Sequence, residues 1–358
     1  MLDTKVQPDW QGLRDALTPG KKIGRVHFME LFLDGEVEKA IVNQFGLDPA
    51  IHDPDIRKRG PARIALQRFL GYDCVRADAR NWNYPRAGFT AADTVVGEQT
   101  RGERGWVDEN FGVIRTMDDF EKYPWPNPDK LDFSEFEWYE KNLPDDMALY
   151  SLTAHQLEEL CWIMGYQGLC LAMYDQPYLV KAMVEKIESL ETEFTRRLVQ
   201  FPRLRFVWGS DDMGYKTGTM VQADFIRKNV LPCHRKCAEI AHAAGRTYLL
   251  HACGKLDEIM PDIIDTVKVD AKHSFEDVIR PMPETKKLWG SRVGLIGGVD
   301  VDFLCRADEP ALRAYVRKTL DACLPGGGYV LGTGNSVANY IPLANYLTMM
   351  DEGRKYRV

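Results

Sequence analysis

Residues 224–254 read DFIRKNVLPCHRKCAEIAHAAGRTYLLHACG and contain the pattern that decides the fold. Asp224 suits the N-cap position of a helix, and apolar residues follow at helical spacing until Gly245 ends the helix. A nearly continuous apolar run, residues 246–252, comes next and stops abruptly. Such runs are typical of strands that are covered on both faces. The stretch therefore predicts a helix followed by a buried parallel strand.

The same alternation recurs along the 358 residues of the chain. Helical patterns such as 179–201 and 310–320 connect short apolar runs. These runs lie at 25–31, 72–77, 147–152, 205–210, 246–252, 266–271, 293–298 and 328–332. Strands that alternate with helices favour a parallel sheet in an α/β fold, and this number of units predicts a (β/α)8 TIM barrel. An open six-stranded sheet is the alternative, because the first two strands are the weakest.

Residues 79–145 depart from the repeat and are rich in Trp, Pro, Asp and Gly. An irregular segment that follows the C-terminal end of an early strand lies on the active face of a barrel. We therefore predict one domain over residues 1–358, with a lid-like insertion at about 79–145 that contains a small hairpin at 105–116.

Composition excludes several classes of protein. Hydrophobic residues make up 45% of the chain and charged residues 28%, which excludes a disordered chain and a coiled coil. The net charge of -7 argues against a nucleic-acid or anionic-membrane partner. The eight cysteines form no CxxC pair, so a disulfide scaffold and a zinc ribbon are excluded. Without a secretory signal pattern or a membrane-length apolar run, we expect a cytoplasmic protein.

Polar side chains gather where the predicted strands end, which is where barrels place catalytic groups. We predict catalytic roles for Glu30, Asp211, Asp212 and Asn335. We predict substrate contacts for His155, Tyr215, His273 and Trp106. Because Asp211 and Asp212 are adjacent, they face opposite sides of an extended segment. One can enter the pocket while the other caps the next loop, or the two can share a pocket and raise one pKa.

His251-Ala252-Cys253 is the sharpest of these patterns. Residues two apart in a strand point the same way, so the imidazole and the thiolate can converge on one ion. Zn²⁺ accepts such ligands, and a catalytic zinc keeps one position open. We predict Glu30 as the third ligand, with Asp211, Asp212 and Glu276 as alternatives. A core histidine beside a buried thiol, with no metal, is the competing interpretation.

The chain resembles the uroporphyrinogen decarboxylase superfamily over nearly its whole length. Matching stretches include VWGSDDMGYKTG, HACGKLDEIMPDIID, GLIGGVD and PGGGYVLGTGNSVANYIPLANYLTMM. The resemblance implies a (β/α)8 barrel, in agreement with the strand count. It is closer to the corrinoid-linked methyltransferase and O-demethylase-like branch than to true decarboxylases. The arginine-rich and Phe-Ser-Asp motifs of the decarboxylases are absent, and the acidic stretch ELFLD stands at residues 30–34.

That branch implies a zinc-dependent enzyme that moves a methyl group between a small methylated compound and a corrinoid protein. Its zinc motif is HxC with a later cysteine. His251 and Cys253 match the first two positions, whereas Asn335 stands near the third. The resemblance therefore implies Zn²⁺ with an acid as third ligand. It also implies a corrinoid carried by a separate partner protein, and a small-molecule methyl donor or acceptor such as an aryl methyl ether. A homodimer is one possible assembly of the chain.

Two other functions remain open at this stage. One is decarboxylation of a tetrapyrrole, although an octa-anionic substrate needs compensating cations that the acidic stretch does not supply. The other is a non-catalytic barrel that binds a small molecule and has lost the third metal ligand. Metal content and turnover of uroporphyrinogen separate these functions.

Overall fold

The structure is a computed structural model of the chain. It describes residues 2, 4–92, 103–108, 110 and 112–358, and the side chains of residues 92, 103, 104 and 106 lie outside that description.

Parallel strands form the centre of the fold. In chain order the strands are β1 (Cys74–Arg76), β2 (Gly88–Ala92), β3 (Glu103–Val107), β4 (Ala148–Thr153), β5 (Leu204–Ser210), β6 (Thr247–His251), β7 (Ala271–His273), β8 (Gly294–Ile296) and β9 (Tyr329–Val330). Within the described residues, β1, β4, β5, β6, β7, β8 and β9 form one seven-stranded sheet in that order. Each pair of neighbours is parallel, which confirms the predicted α/β class.

Helices connect these strands and cover the sheet. They are α1 (Trp10–Ala16), α2 (Gly35–Phe45), α3 (Ile56–Leu70), α4 (Met117–Lys122), α5 (Ser134–Asn142), α6 (Gln156–Met164), α7 (Tyr166–Asp175), α8 (Pro177–Leu198), α9 (Ala223–Asn229), α10 (Leu231–Ala243), α11 (Met260–Asp262), α12 (Met282–Trp289), α13 (Val301–Arg306), α14 (Glu309–Cys323) and α15 (Leu343–Lys355). No helix formed by the described residues is long and apolar enough to cross a membrane.

The predicted first strand lies beside β9. The N–H of Met29 donates to the carbonyl of Leu331 at 3.0 Å, and the N–H of Leu331 donates to the carbonyl of His27 at 3.0 Å. Toward β1 the contact is made by side chains, because His27 Nδ1 lies 2.8 Å from Asp73 Oδ2. The arrangement is consistent with a TIM-barrel-like fold in which seven strands are regular.

A group of apolar side chains packs on the inner face of the sheet, and we call this group the inner cluster. Its members are Leu13, Ala16, Leu17, Met29, Leu31, Cys74, Ala148, Phe206, Trp208, Leu249, Ala271, Ile296 and Val330. Phe206 and Trp208 are two residues apart in β5 and therefore point the same way. Helix α1 and the residue that follows it contribute Leu13, Ala16 and Leu17, so this helix closes the end of the sheet opposite to the strand C-termini. A larger apolar layer packs between the sheet and the outer helices.

Three local predictions differ from the structure. The strand expected at 266–271 is wrong, because Ile263–Val267 forms a π-helix that ends at Lys268 with φ 64°, and the strand is Ala271–His273. The helix expected over 224–244 is divided into α9 and α10, since Pro232 begins a new helix. The hairpin expected at 105–116 is instead an antiparallel pair in which Gly88 lies opposite Val107. The single-domain organisation stays a prediction.

The inner cluster should dominate stability. Leu249 is fully buried in it, so Leu249→Ala should lower the free energy of unfolding by about 2–5 kcal/mol through lost burial and a cavity. Leu288 on α12 is 47% exposed, and Leu288→Ala is the control, with an expected change within about 0.5 kcal/mol. Urea denaturation measures both values. Equal losses in the two variants would contradict the assignment of this core.

Candidate functional site

Adjacent strands bring together three side chains that could hold a metal ion. Ser210 of β5 lies opposite His251 of β6, and Asp212 and Cys253 each follow two residues later. One ligand atom from each of Asp212, His251 and Cys253 lies within 4.8 Å of the other two. His251 Nε2 lies 3.4 Å from Cys253 Sγ and 3.4 Å from Asp212 Oδ1. We call these three residues the Asp-His-Cys cluster.

Two glycines allow the loops after β5 and β6 to approach. A Cβ on Gly254 would lie 2.1 Å from the carbonyl carbon of Gly214, and Gly254 has a φ of 86°. Any other residue would be strained there and would push the loops apart. The close approach lets the N–H of Cys253 donate to Asp212 Oδ1 at 2.9 Å. Backbone packing thus holds the carboxylate beside the thiol.

A chain of hydrogen bonds fixes the proton of His251. His251 and His273 end neighbouring strands in register, and their Nδ1 atoms are 2.8 Å apart. His273 Nε2 lies 3.3 Å from the carbonyl oxygen of Thr333, which can only accept. Burial, with the charges of His251 and Lys272, lowers the pKa of His273 well below its usual value. A neutral His273 that donates through Nε2 must accept at Nδ1, so we assign the shared proton to His251.

The ionisation of the cluster depends on its own members. Burial first, and then the charge of Asp212, raises the pKa of the Cys253 thiol. Burial also tends to raise the pKa of Asp212, but the hydrogen bond and the charge of His251 outweigh it and lower that pKa. Cys253 Sγ accepts hydrogen bonds from Asn335 Nδ2 at 3.3 Å and from Ser274 Oγ at 3.5 Å.

This donor set fits a divalent metal such as Zn²⁺. A carboxylate oxygen, an imidazole nitrogen and a sulfur converge, and these are the three ligand types that zinc accepts in proteins. With a proton on Nδ1, His251 directs Nε2 at Cys253 and Asp212. A proton or a metal cation is needed between Nε2 and these two acceptors. His273 supplies the outer hydrogen bond that metal-binding histidines usually make.

Glu30 occupies a different place from the one predicted. Its Oε1 accepts from the N–H of Thr333 at 2.8 Å, and its Oε2 lies 2.6 Å from Thr333 Oγ1. The structure does not bring Glu30 into the Asp-His-Cys cluster formed by the described residues. Asp212, one of the alternatives, stands where we expected Glu30 as third ligand.

The burial of Glu30 and its contacts with Thr333 favour the neutral form of its carboxyl group. Thr333 Oγ1 also contacts the carbonyl oxygen of Asn335, which can only accept, so the hydroxyl proton points there. The short contact to Glu30 Oε2 then needs a proton on the carboxyl group. Burial raises the pKa of Glu30 to about 8, in agreement with this assignment. Glu30 therefore positions the segment that carries Asn335.

Asp211 also differs from its predicted catalytic role. It is fully buried and accepts from the N–H groups of Leu157 and Glu158 at 2.8 Å each, at the start of α6. His234 Nε2 lies 2.9 Å from its other oxygen. The two adjacent acids face opposite sides, so Asp212 enters the cluster while Asp211 caps a helix.

The residues predicted to bind substrate are spread over the strand ends. His155 precedes α6, and its Nδ1 lies 3.0 Å from Glu158 Oε2. Burial lowers the pKa of His155. Tyr215 is half exposed. Trp106 lies in β3, and its side chain is outside the described part of the chain. His273 is buried behind His251 rather than facing open space. Substrate contact by these residues stays a prediction.

Sequence patterns assigned no role to Ser274, Thr333 or Lys272. Ser274 and Thr333 follow strands, and their parts depend on contacts to Cys253 and Glu30 that spacing does not reveal. Lys272 is buried, its Nζ donates to the carbonyl of Ser274 at 2.6 Å, and burial lowers its pKa to about 8. Asn335, beside Cys253, lines a cavity of about 1000 Å³ that also contains Phe275 and Tyr340.

The fold and the cluster define a TIM-barrel-like protein with a candidate metal centre at its strand ends. A family model described as Uroporphyrinogen decarboxylase (URO-D) matches residues 113–356. The chain therefore belongs to the uroporphyrinogen decarboxylase family, as its sequence motifs indicated.

A solved methyltransferase structure shares the fold. A methyltransferase from Methanosarcina mazei has a TM-score of 0.64 and 16% sequence identity, over 97% of this chain and 98% of its own. A B12-independent methionine synthase from Shewanella sp. W3-18-1 has a TM-score of 0.46 and 10% identity, over 84% and 88% of the two chains. No protein of curated function matches the sequence.

The two adjacent acids should respond differently to the same substitution. Asp211→Ala leaves two N–H groups and His234 without their buried partner, so the free energy of unfolding should fall by at least about 2 kcal/mol. Asp212 is partly exposed, and Asp212→Ala should change that free energy by less than about 1 kcal/mol. Urea denaturation of the two variants compares them. A larger loss in Asp212→Ala would contradict the assigned roles.

The neutral state of Glu30 predicts a pH dependence. Its folded pKa of about 8 lies above the ordinary value of 4.5, so its stabilisation is complete below pH 4.5 and is lost as the pH rises through 8. Glu30→Gln keeps a neutral group that can donate to Thr333, and the decline in stability between pH 6 and 9 should become smaller. Urea denaturation at both pH values measures the decline. The exposed Glu137→Gln variant is the control and should keep the wild-type slope.

Proposed function

We propose that the chain is a methyltransferase that moves a methyl group between a small methylated compound and a corrinoid protein, with zinc as a Lewis acid. The observation that carries this proposal is the Asp-His-Cys cluster at the ends of β5 and β6. Membership of the uroporphyrinogen decarboxylase family supports it, as does the fold shared with a protein described as a methyltransferase.

Asp212, His251 and Cys253 would hold the zinc, and three protein ligands are typical of catalytic zinc sites. Bound zinc supplies Lewis acidity, which stabilises a thiolate or polarises an ether oxygen. His273 keeps Nε2 of His251 available by accepting a hydrogen bond from Nδ1 of His251. Asn335 donates to the sulfur of Cys253 and so stabilises negative charge on it. Asn335 thus supports the cluster without being a ligand.

The cavity of about 1000 Å³ beside Asn335 supports a small-molecule substrate. Phe275, Val278 and Phe303 give it apolar walls, which suit an aryl methyl ether. The corrinoid would be carried by a separate partner protein that reaches the strand ends from outside. We retain the cytoplasm as the proposed location.

Zinc binding tests this proposal directly. Metal-free protein should bind one Zn²⁺ and release protons, because the Cys253 thiol and any proton on His251 Nε2 must leave. Titration calorimetry in two buffers of different ionisation enthalpy measures the stoichiometry and the protons. His251→Ala and Cys253→Ala should weaken binding by more than the roughly 10–100-fold typical of losing an outer hydrogen-bond partner. The same variants should lose transfer of the methyl group from an aryl methyl ether to free cob(I)alamin, a reaction that forms methylcobalamin, leaves the phenolate and is followed by absorbance.

His242→Ala is the matched control. His242 lies on α10 and pairs with Asp270 at 2.8 Å, away from the cluster, so zinc affinity should not change. Failure to bind stoichiometric zinc, or equal affinity in His251→Ala, would overturn the metal site. Zinc-free turnover of uroporphyrinogen would favour the decarboxylase alternative instead.

A further inference from the structure

A second cavity, of about 380 Å³, lies between residues 28–33, β1 and helix α3. None of the Asp-His-Cys cluster is among the described residues that line it. Three arginines line it, together with acidic and aromatic side chains. The lining residues used below are Arg59, Arg63, Arg76, Glu38, Glu135 and Tyr150.

Two of the arginines are occupied by the fold. Arg59 donates to the carbonyl of Asp53 at 2.7 Å and to Glu135 at 2.7 Å. Arg63 donates to the carbonyl of Ile51 at 3.2 Å and to Glu38 at 3.3 Å. These contacts fix the walls of the cavity and engage part of each guanidinium.

Arg76 is different, because most of its donors are free. It ends β1, and Cys74, two residues earlier, belongs to the inner cluster, so both side chains point into the barrel. Its Nε donates to Asp78 Oδ1 at 2.9 Å. Its two Nη atoms have no hydrogen-bond acceptor among the residues that the structure describes. The Arg76 side chain is 29% exposed, so water reaches these Nη atoms and a ligand with two acceptor oxygens can replace it.

The other wall beside Arg76 is aromatic. Tyr150 lies opposite Arg76 across the β1–β4 pair, and its hydroxyl donates to the carbonyl of Leu31 at 3.0 Å, which fixes the ring. Phe32 and Leu33 add apolar surface. The cavity therefore combines a free cationic fork with a flat apolar wall.

We propose that this cavity binds a small aromatic carboxylate, with the carboxylate on the Nη atoms of Arg76 and the ring against Tyr150 and Phe32. The planar guanidinium fork matches a carboxylate in two parallel hydrogen bonds. The cavity volume fits a single-ring acid. Binding of this acid does not depend on the metal cluster or on methyl transfer.

Benzoate is the probe that tests the proposal, and calorimetry of the full-length, metal-free protein measures it. Benzoate should bind saturably with one site. Benzamide, which has the same shape without the charge, and inorganic phosphate, which lacks the ring, should each bind at least about tenfold more weakly. Arg76→Met should weaken benzoate by about 10- to 100-fold. Arg57→Met on α3, which removes an exposed arginine outside the cavity, is the matched control and should keep wild-type affinity.

Further variants keep the test decisive. Arg76→Lys retains the charge and loses the fork, so it should show an intermediate affinity even if Arg76→Met folds poorly. His251→Ala should bind benzoate as the wild type does, whatever its zinc affinity. Equal binding of benzamide, or wild-type affinity in both Arg76 variants, would overturn the proposal. Loss of benzoate binding in His251→Ala would also overturn it, because the acid would then lie at the metal cluster.

Discussion

The hydrogen bond between the Nδ1 atoms of His251 and His273 determines which nitrogen of His251 is available at the strand ends. The two rings end neighbouring parallel strands, so the register of β6 and β7 sets their separation. Because His273 is buried and neutral, the proton between the rings belongs to His251. His251 Nε2 then faces the sulfur of Cys253 and a carboxylate oxygen of Asp212. The register of the sheet thereby determines which atoms face one another at the candidate metal site.

Much of the fold was predictable from the sequence, because strands buried on both faces produce short, continuous apolar runs. The convergence of His251 and Cys253 was equally readable, since it follows from the two-residue period of a strand. The pattern of apolar residues did not distinguish the strand expected at 266–271 from the helical turn that the structure has at Ile263–Val267. Val267 and Val269 alternate as in a strand, yet Val267 packs with Ile263 and Ile264 as part of a helical turn.

The choice of acid was beyond the sequence. Glu30, Asp211 and Asp212 all stand near strand ends, and spacing treats them alike. Which one joins the cluster depends on the contact between Gly214 and Gly254, a tertiary approach of two loops. The environments then separate their charges. Asp212 is held ionised by His251, whereas Glu30, buried against Thr333, keeps its proton.

The bond between Glu30 and Thr333 joins residues that are 303 positions apart. A ribosome makes the chain from the N-terminus, so Glu30 is made long before its partner exists. Asn335, which contacts the sulfur of Cys253, lies just beyond that partner. On a nascent chain that stops short of Asn335, the sulfur of Cys253 therefore lacks this hydrogen bond. Synthesis itself delays the full set of contacts around the candidate metal site until the C-terminal part of the fold exists.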